Sequence, residues 1–158
     1  MKQIKNIRID DRLIHGQIVS AWISYLNIKQ IVIADDKAAA DSLQQSLLKM
    51  ATPKSVELKV MCFNDAVVFL EGIEDDNSIL VICRNLDCLE KFMDAGANVE
   101  TVNFGNCSTT KGAIRYSKAL WLNEEQLNKA KQIMEKGVKL IAQVVPTEMA
   151  TDFNDLIK

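Results

Sequence analysis

Short runs of β-forming residues alternate with amphipathic helical stretches along this chain, and the alternation predicts its elements. Ile4–Ile9 reads as the first strand. A polar turn follows, then a helix over Gly16–Leu26 in which Ile18, Trp22 and Tyr25 recur at helical spacing. Gln30–Ala34 reads as the second strand, and the helix after it covers Ala38–Met50 with Leu43, Leu47 and Met50 on one face. Val56–Cys62 alternates apolar and polar positions, which predicts a third strand at a sheet edge. A short helix over Asp65–Glu71 leads to a fourth strand, Ser78–Cys83. Strands two and four are almost wholly apolar, as strands covered on both faces are. Asn85 caps a helix carrying Leu86, Leu89 and Met93 that ends near Gly96. Val99–Phe104 and the short Lys118–Leu122 read as the fifth and sixth strands. Asn123 with Gln126 forms a capping box for a helix ending at Gly137. Val138–Val145 reads as the seventh strand and Met149–Ile157 as a last helix.

Strand–helix alternation requires crossover connections. The expected fold is therefore α/β: an open, mostly parallel twisted sheet of about seven strands with helices on both faces. Such sheets bind ligands outside the carboxyl ends of their strands, where the strand order reverses. That rule gathers Asp10–His15, Asp35–Asp36, Phe63–Asp65, Arg84–Asn85 and Asn103–Ser108 onto one rim.

Composition narrows the function classes. A chain of 158 residues fits a single domain over 1–158, and 48% hydrophobic with 25% charged residues excludes a disordered chain. No apolar run exceeds five residues, so no segment is long enough to span a bilayer. Charges through MKQIKNIRIDDRL leave no apolar core for a signal peptide, and a cytoplasmic location is expected. Lys and Arg number 19 against 21 Asp and Glu, and aromatics are 6%. Both figures argue against a nucleic-acid binder, and the charge balance against a polybasic membrane patch. Cys62, Cys83, Cys88 and Cys107 form no CxxC pair, and with one histidine in the chain no zinc pattern remains. Cys62 and Cys83 sit in apolar runs and read as buried thiols. No metal and no organic cofactor is expected.

The candidate chemistry centres on His15, the one histidine. It closes the loop after the first strand and stands at the start of a helix, whose unpaired N–H groups and positive dipole end suit an anion. Arg12, three residues earlier, reaches the same anion as a multidentate donor. An imidazole nucleophile beside a phosphate-sized anion site points to phosphoryl transfer, where catalysis is mostly positioning and charge stabilisation. Asp10 fits a supporting role toward Arg12 or His15, the N–H groups around Gly16 fit phosphate, and Asp11 reads as solvated.

The run Arg8-Ile9-Asp10-Asp11-Arg12-Leu13-Ile14-His15-Gly16-Gln17, with Trp22 after it, resembles the active-site segment of enzyme IIB of the mannose/sorbose family. That family belongs to the bacterial phosphoenolpyruvate-dependent sugar phosphotransferase system. The resemblance extends over essentially the whole chain. Ile31–Asp36 with Ala38 and Asp41 is similar to the family's second segment, and Asn103-Phe104-Gly105 to its third. It implies that His15 accepts a phosphoryl group on Nδ1 from a phosphohistidine of a IIA partner. It further implies delivery of that group to a sugar emerging from a membrane IIC–IID complex, at the inner face of the membrane, with Arg12 helping to bind it. It implies one antiparallel strand in the sheet, for which Lys118–Leu122 is the candidate. Relatives commonly carry two adjacent glycines in the third segment, where this chain has Gly105-Asn106.

Other readings stand beside this one. A non-catalytic flavodoxin-like module binding a small anion at the same rim differs in forming no covalent adduct, and a regulatory paralogue is phosphorylated but serves no sugar. Asp10 and Asp11 as a receiver-type acidic pair lack a well-placed acceptor Asp and Lys. Gly105–Gly112 lacks phosphate-loop spacing, though its Ser108, Thr109 and Lys111 are placed to face phosphate, sugar or partner. Arg84 fits phosphate, the IIA partner or an ion pair equally, and Arg8 within strand one points to either face. Neither the sugar nor the oligomeric state, a homo-oligomer included, follows from the sequence.

Overall fold

The computed structural model describes residues 4–74 and 77–158. Seven strands form one sheet: β1 (Ile4–Asp10), β2 (Gln30–Ala34), β3 (Glu57–Met61), β4 (Ile79–Cys83), β5 (Thr101–Asn106), β8 (Lys139–Ala142) and β9 (Thr151–Asp152). Two further strands, β6 (Ile114–Ser117) and β7 (Leu120–Leu122), make a separate antiparallel hairpin. The sheet order is β3-β2-β4-β1-β5-β8-β9, parallel except for the β8–β9 pair. The helices are α1 (Gly16–Leu26), α2 (Asp36–Ala39), α3 (Ser42–Ala51), α4 (Phe63–Glu71), α5 (Leu86–Asp94), α6 (Glu124–Glu135) and α7 (Phe153–Leu156).

The all-apolar strands β2 and β4 are buried along their whole length, and the alternating β3 lies at an edge, as their patterns predict. Each sheet face has its own core. Val19 of α1 and Leu48 of α3 pack on Ile31, Ile33, Leu80 and Ile82 on one side. Helices α4 to α7 cover the other side, over Ile7, Ile9, Val81, Val102 and Phe104. Strand alternation therefore sends Ile7 and Ile9 to the second core and Arg8 and Asp10 to the α1 face.

Several expectations are corrected. Lys118–Leu122 is not the antiparallel strand of the sheet. Its Leu120–Leu122 pairs with Ile114–Ser117, and the antiparallel position goes to β9, inside the stretch expected to be helical. The helix expected over Ala38–Met50 is two helices, because Asp41 caps a new start by accepting from the Gln44 N–H. Leu43, Leu47 and Met50 then lie exposed, while Leu48 faces the core. Tyr25 and Met149 are likewise exposed, and Cys62 is only half-buried, whereas Cys107 is buried with Cys83. Asn85 and Asn123 cap α5 and α6 as expected, the latter in a full capping box.

The path of the chain reverses at β1. It leaves β1 toward α1, β2 and β3, returns to β4 at β1's side, then crosses to β5 and beyond. The crevice between the carboxyl ends of β1 and β5 is the switch point at which open sheets of this kind bind ligands.

Candidate functional site

The loop from Asp10 to Gly16 fills that crevice. A turn closes it, with the Leu13 N–H donating to the Asp10 carbonyl at 2.9 Å. Leu13 takes a left-handed conformation, φ 61°, which strains a bulky side chain by about 1–3 kcal/mol. Burial compensates: Leu13 is fully buried and Ile14 nearly so, each in the α1–α3 core, at about 1.5–3 kcal/mol per side chain. With those two residues as anchors, Arg12 is left exposed and His15 half-exposed above them.

Arg12 Nη1 stands 3.3 Å from His15 Nε2. His15 occupies the N-cap of α1, its carbonyl accepting from the Val19 N–H, but its side chain caps nothing. Among the helices of the described residues, α1 is the one with neither a side-chain cap nor an acidic residue in its first turn. Gly16 is exposed and adds no side chain over the first N–H groups. The helix start, Arg12 and the imidazole thus share one surface, an arrangement suited to an anion of phosphate size.

Asp10 is buried beneath this surface. Its Oδ1 accepts from the Arg12 N–H at 3.0 Å, and its Oδ2 lies 3.6 Å from Arg8 Nε. Burial pushes the Asp10 carboxyl up, opposed by the Arg12 N–H and the Arg8 charge. Asp11, expected to be solvated, is instead a clasp. Its Oδ1 accepts from Asn106 Nδ2 and its Oδ2 from the Ser108 N–H, both at 2.7 Å. Ser108 is thereby joined to the His15 loop through its backbone. Both carboxylates of the acidic pair are committed to donors of the protein itself. Among the described residues no group of three His, Cys, Asp or Glu side chains comes together to hold a metal.

Arg84 is not brought to this cluster. Its Nε donates to Asp35 Oδ2 at 2.6 Å and its Nη2 to Gln44 Oε1 at 3.4 Å, so it locks the β4 end to α2 and α3. Asp35 in turn caps α2 rather than merely ending β2. The sequence reads Asp11 as solvated, leaves Arg8 on either face and gives Asn106 no role of its own, so these three contacts are new. For Arg8 a signal existed: Ile7 and Ile9 claim one face of β1, and a central parallel strand has its other face covered too. No helix of the described residues is long and apolar enough to cross a membrane.

Comparisons with known proteins bear on the chain as a whole. A family model described as the PTS system sorbose subfamily IIB component matches residues 4–158. The chain is similar to the sorbose-specific EIIB component of Klebsiella pneumoniae, at 28% identity over 156 residues, covering 98% of this chain and 95% of that one. It is similar to the mannose-specific EIIAB component of Escherichia coli at 26% identity over 151 residues, and there spans 47% of the longer protein. The crystal structure of the IIBSor domain of the Klebsiella pneumoniae sorbose permease superposes with a TM-score of 0.87 at 28% identity, covering 98% of this chain and 96% of that one.

Proposed function

The chain belongs to the sorbose subfamily of PTS IIB components, phosphocarriers that transfer phosphate during sugar uptake, and we propose that His15 carries the phosphoryl group and Arg12 binds it. One observation carries the assignment: Arg12 Nη1 at 3.3 Å from the His15 ring, at the one helix start among the described residues without a side-chain cap or an acidic residue in its first turn.

The donor is a phosphohistidine on a IIA partner. The His15 Nδ1 lone pair forms an N–P bond while the donor's N–P bond breaks, its electron pair returning to the donor imidazole, which takes up the proton that the His15 ring gives up. A sugar hydroxyl oxygen then attacks the phosphorus. The P–Nδ1 bond breaks, its electrons return to Nδ1, and the hydroxyl proton passes to the freed ring. Arg12 and the N–H groups around Gly16 neutralise the phosphoryl oxygens in both steps. Asp10 holds the Arg12 backbone, and Ser108 reaches the same loop through Asp11. Arg84, paired with Asp35, has no part in this reading. Residues 1–158 act as a single unit, at the inner face of the membrane, where a IIC–IID complex presents the sugar.

Intact-mass spectrometry tests this after incubation with phosphoenolpyruvate, the general phosphotransferase proteins and a mannose-family IIA protein, with His15→Ala in parallel. The expected result is one added phosphoryl group, labile to acid, stable to alkali and absent from the variant. No adduct with several such IIA donors would leave an anion-binding module as the better account.

A further inference from the structure

Arg8 is the largest fully buried side chain of the described residues, at 0% exposure. Three elements build a socket for its guanidinium. Trp22 of α1 presents its ring face 5.7 Å from Cζ, held there by an Nε1–H bond to the Val144 carbonyl at 2.9 Å. The Gln143 carbonyl, just past β8, accepts from Nη1 at 3.2 Å and is itself fixed by Asn103 Nδ2 at 2.9 Å. On β5, Gly105 is the extra residue where the register against β1 shifts, and a Cβ there would overlap the Arg8 guanidinium. The glycine of the third segment therefore makes room for an arginine rather than for a ligand.

This socket is a poor device for stability. Arg8 Nε and Nη2 and Asp10 Oδ2 are buried without a hydrogen-bond partner, and the Nε–Oδ2 pair at 3.6 Å is too long for one. A buried, incompletely bonded ion pair often stabilises a fold less than apolar residues of the same volume. What the pair does is fix Asp10, whose other oxygen holds the Arg12 N–H in the turn that presents Arg12 and His15.

We infer that Arg8 is a positioning residue for phosphoryl transfer, acting through Asp10 on the loop that carries Arg12 and His15. The inference rests on the assignment of His15 and Arg12 above. Being fully buried, Arg8 touches no donor, so its effect falls on turnover and not on binding.

The test uses the full chain as the substrate of a phosphorylated mannose-family IIA protein, with the parent, His15→Ala, Arg8→Met and Arg8→Lys compared. Lys keeps the charge but cannot span Asp10 and the Gln143 carbonyl. Both Arg8 variants are expected to reach one phosphoryl group per chain with KM unchanged and turnover reduced about tenfold, the scale of a small misplacement of reacting groups. A structural role alone would lower the number of phosphorylatable chains and leave the rate per such chain at the parental value, and that result overturns the inference. Should Arg8→Met not fold, Arg8→Lys decides by the same criterion. An unlabelled parent, or a labelled His15→Ala, overturns the His15 assignment and this inference with it. A normal parent and parental rates in both Arg8 variants overturn this inference alone.

Discussion

Arg12 Nη1 and His15 Nε2 lie 3.3 Å apart, so a group that can only donate faces one ring nitrogen. Nε2 must then accept, and the neutral ring carries its proton on Nδ1. In the proposed reaction that proton leaves Nδ1 before its lone pair attacks, and it passes to the donor imidazole.

Nitrogen-15 NMR of the ring checks this. The parent should show the Nδ1–H form of the neutral ring, and Arg12→Ala should shift the population toward Nε2–H. Equal tautomer populations in both proteins would remove the hydrogen bond from the account. Arg12→Lys should still bind phosphate yet transfer about 10- to 100-fold more slowly, because an ammonium cannot reproduce the guanidinium fork. A parental transfer rate in Arg12→Lys would contradict the role given to Arg12.

His15→Ala should lose phosphorylation entirely while changing unfolding free energy by less than about 0.5 kcal/mol, the range of a surface substitution. The His15 side chain caps nothing in α1, so its removal frees no helix N–H that it had satisfied. Urea denaturation of parent and variant compares the two, and a large loss of stability would assign the ring a structural duty.

Asp11 joins two loops far apart in the chain through Asn106 and the Ser108 N–H. Asp11→Ala should cost about 2 kcal/mol, the scale of losing hydrogen bonds to a charged acceptor. It should also speed amide exchange at Ser108 and leave exchange in β4 unchanged. Slow exchange at Ser108 in the variant would show that the loop is held by something else.

What was legible in the sequence was local. The caps at Asn85 and Asn123 satisfy donors three residues away, and both are present. The all-apolar runs of β2 and β4 announce central strands because such strands have no polar face. The rim rule places His15 and Arg12 together because they lie three positions apart in one loop. The rest depends on partners remote in the chain. Asp11 meets Asn106 across 95 positions and Arg8 meets Gln143 across 135, distances over which no spacing pattern runs. Helical periodicity at Leu43, Leu47 and Met50 marks a face without saying what it meets, and here it meets solvent. The two-residue β9 is too short to show any alternation, so the sequence pattern points instead to Lys118–Leu122, part of a hairpin that forms its own small sheet.

Asp10 makes stability depend on pH in a direction that its burial fixes. Its carboxyl is pushed above the ordinary 3.8, first by loss of solvent, with the Arg12 N–H and Arg8 opposing. Between 3.8 and that raised value the folded chain holds the proton and the unfolded chain has released it, so stability falls as pH rises through the window. Below 3.8 both states are protonated and the contribution vanishes. Asp10→Asn stays neutral at every pH and keeps an oxygen for the Arg12 N–H, so it removes the ionisation and leaves the turn. Urea midpoints measured from about pH 4 to about pH 8 should therefore lie closest together at the acid end. The variant should gain on the parent as pH rises. The reverse trend, the variant losing ground toward neutral pH, would mean that the attraction between Arg8 and ionised Asp10 outweighs their burial. The ion pair would then be a source of stability, contrary to what its three unpartnered atoms indicate.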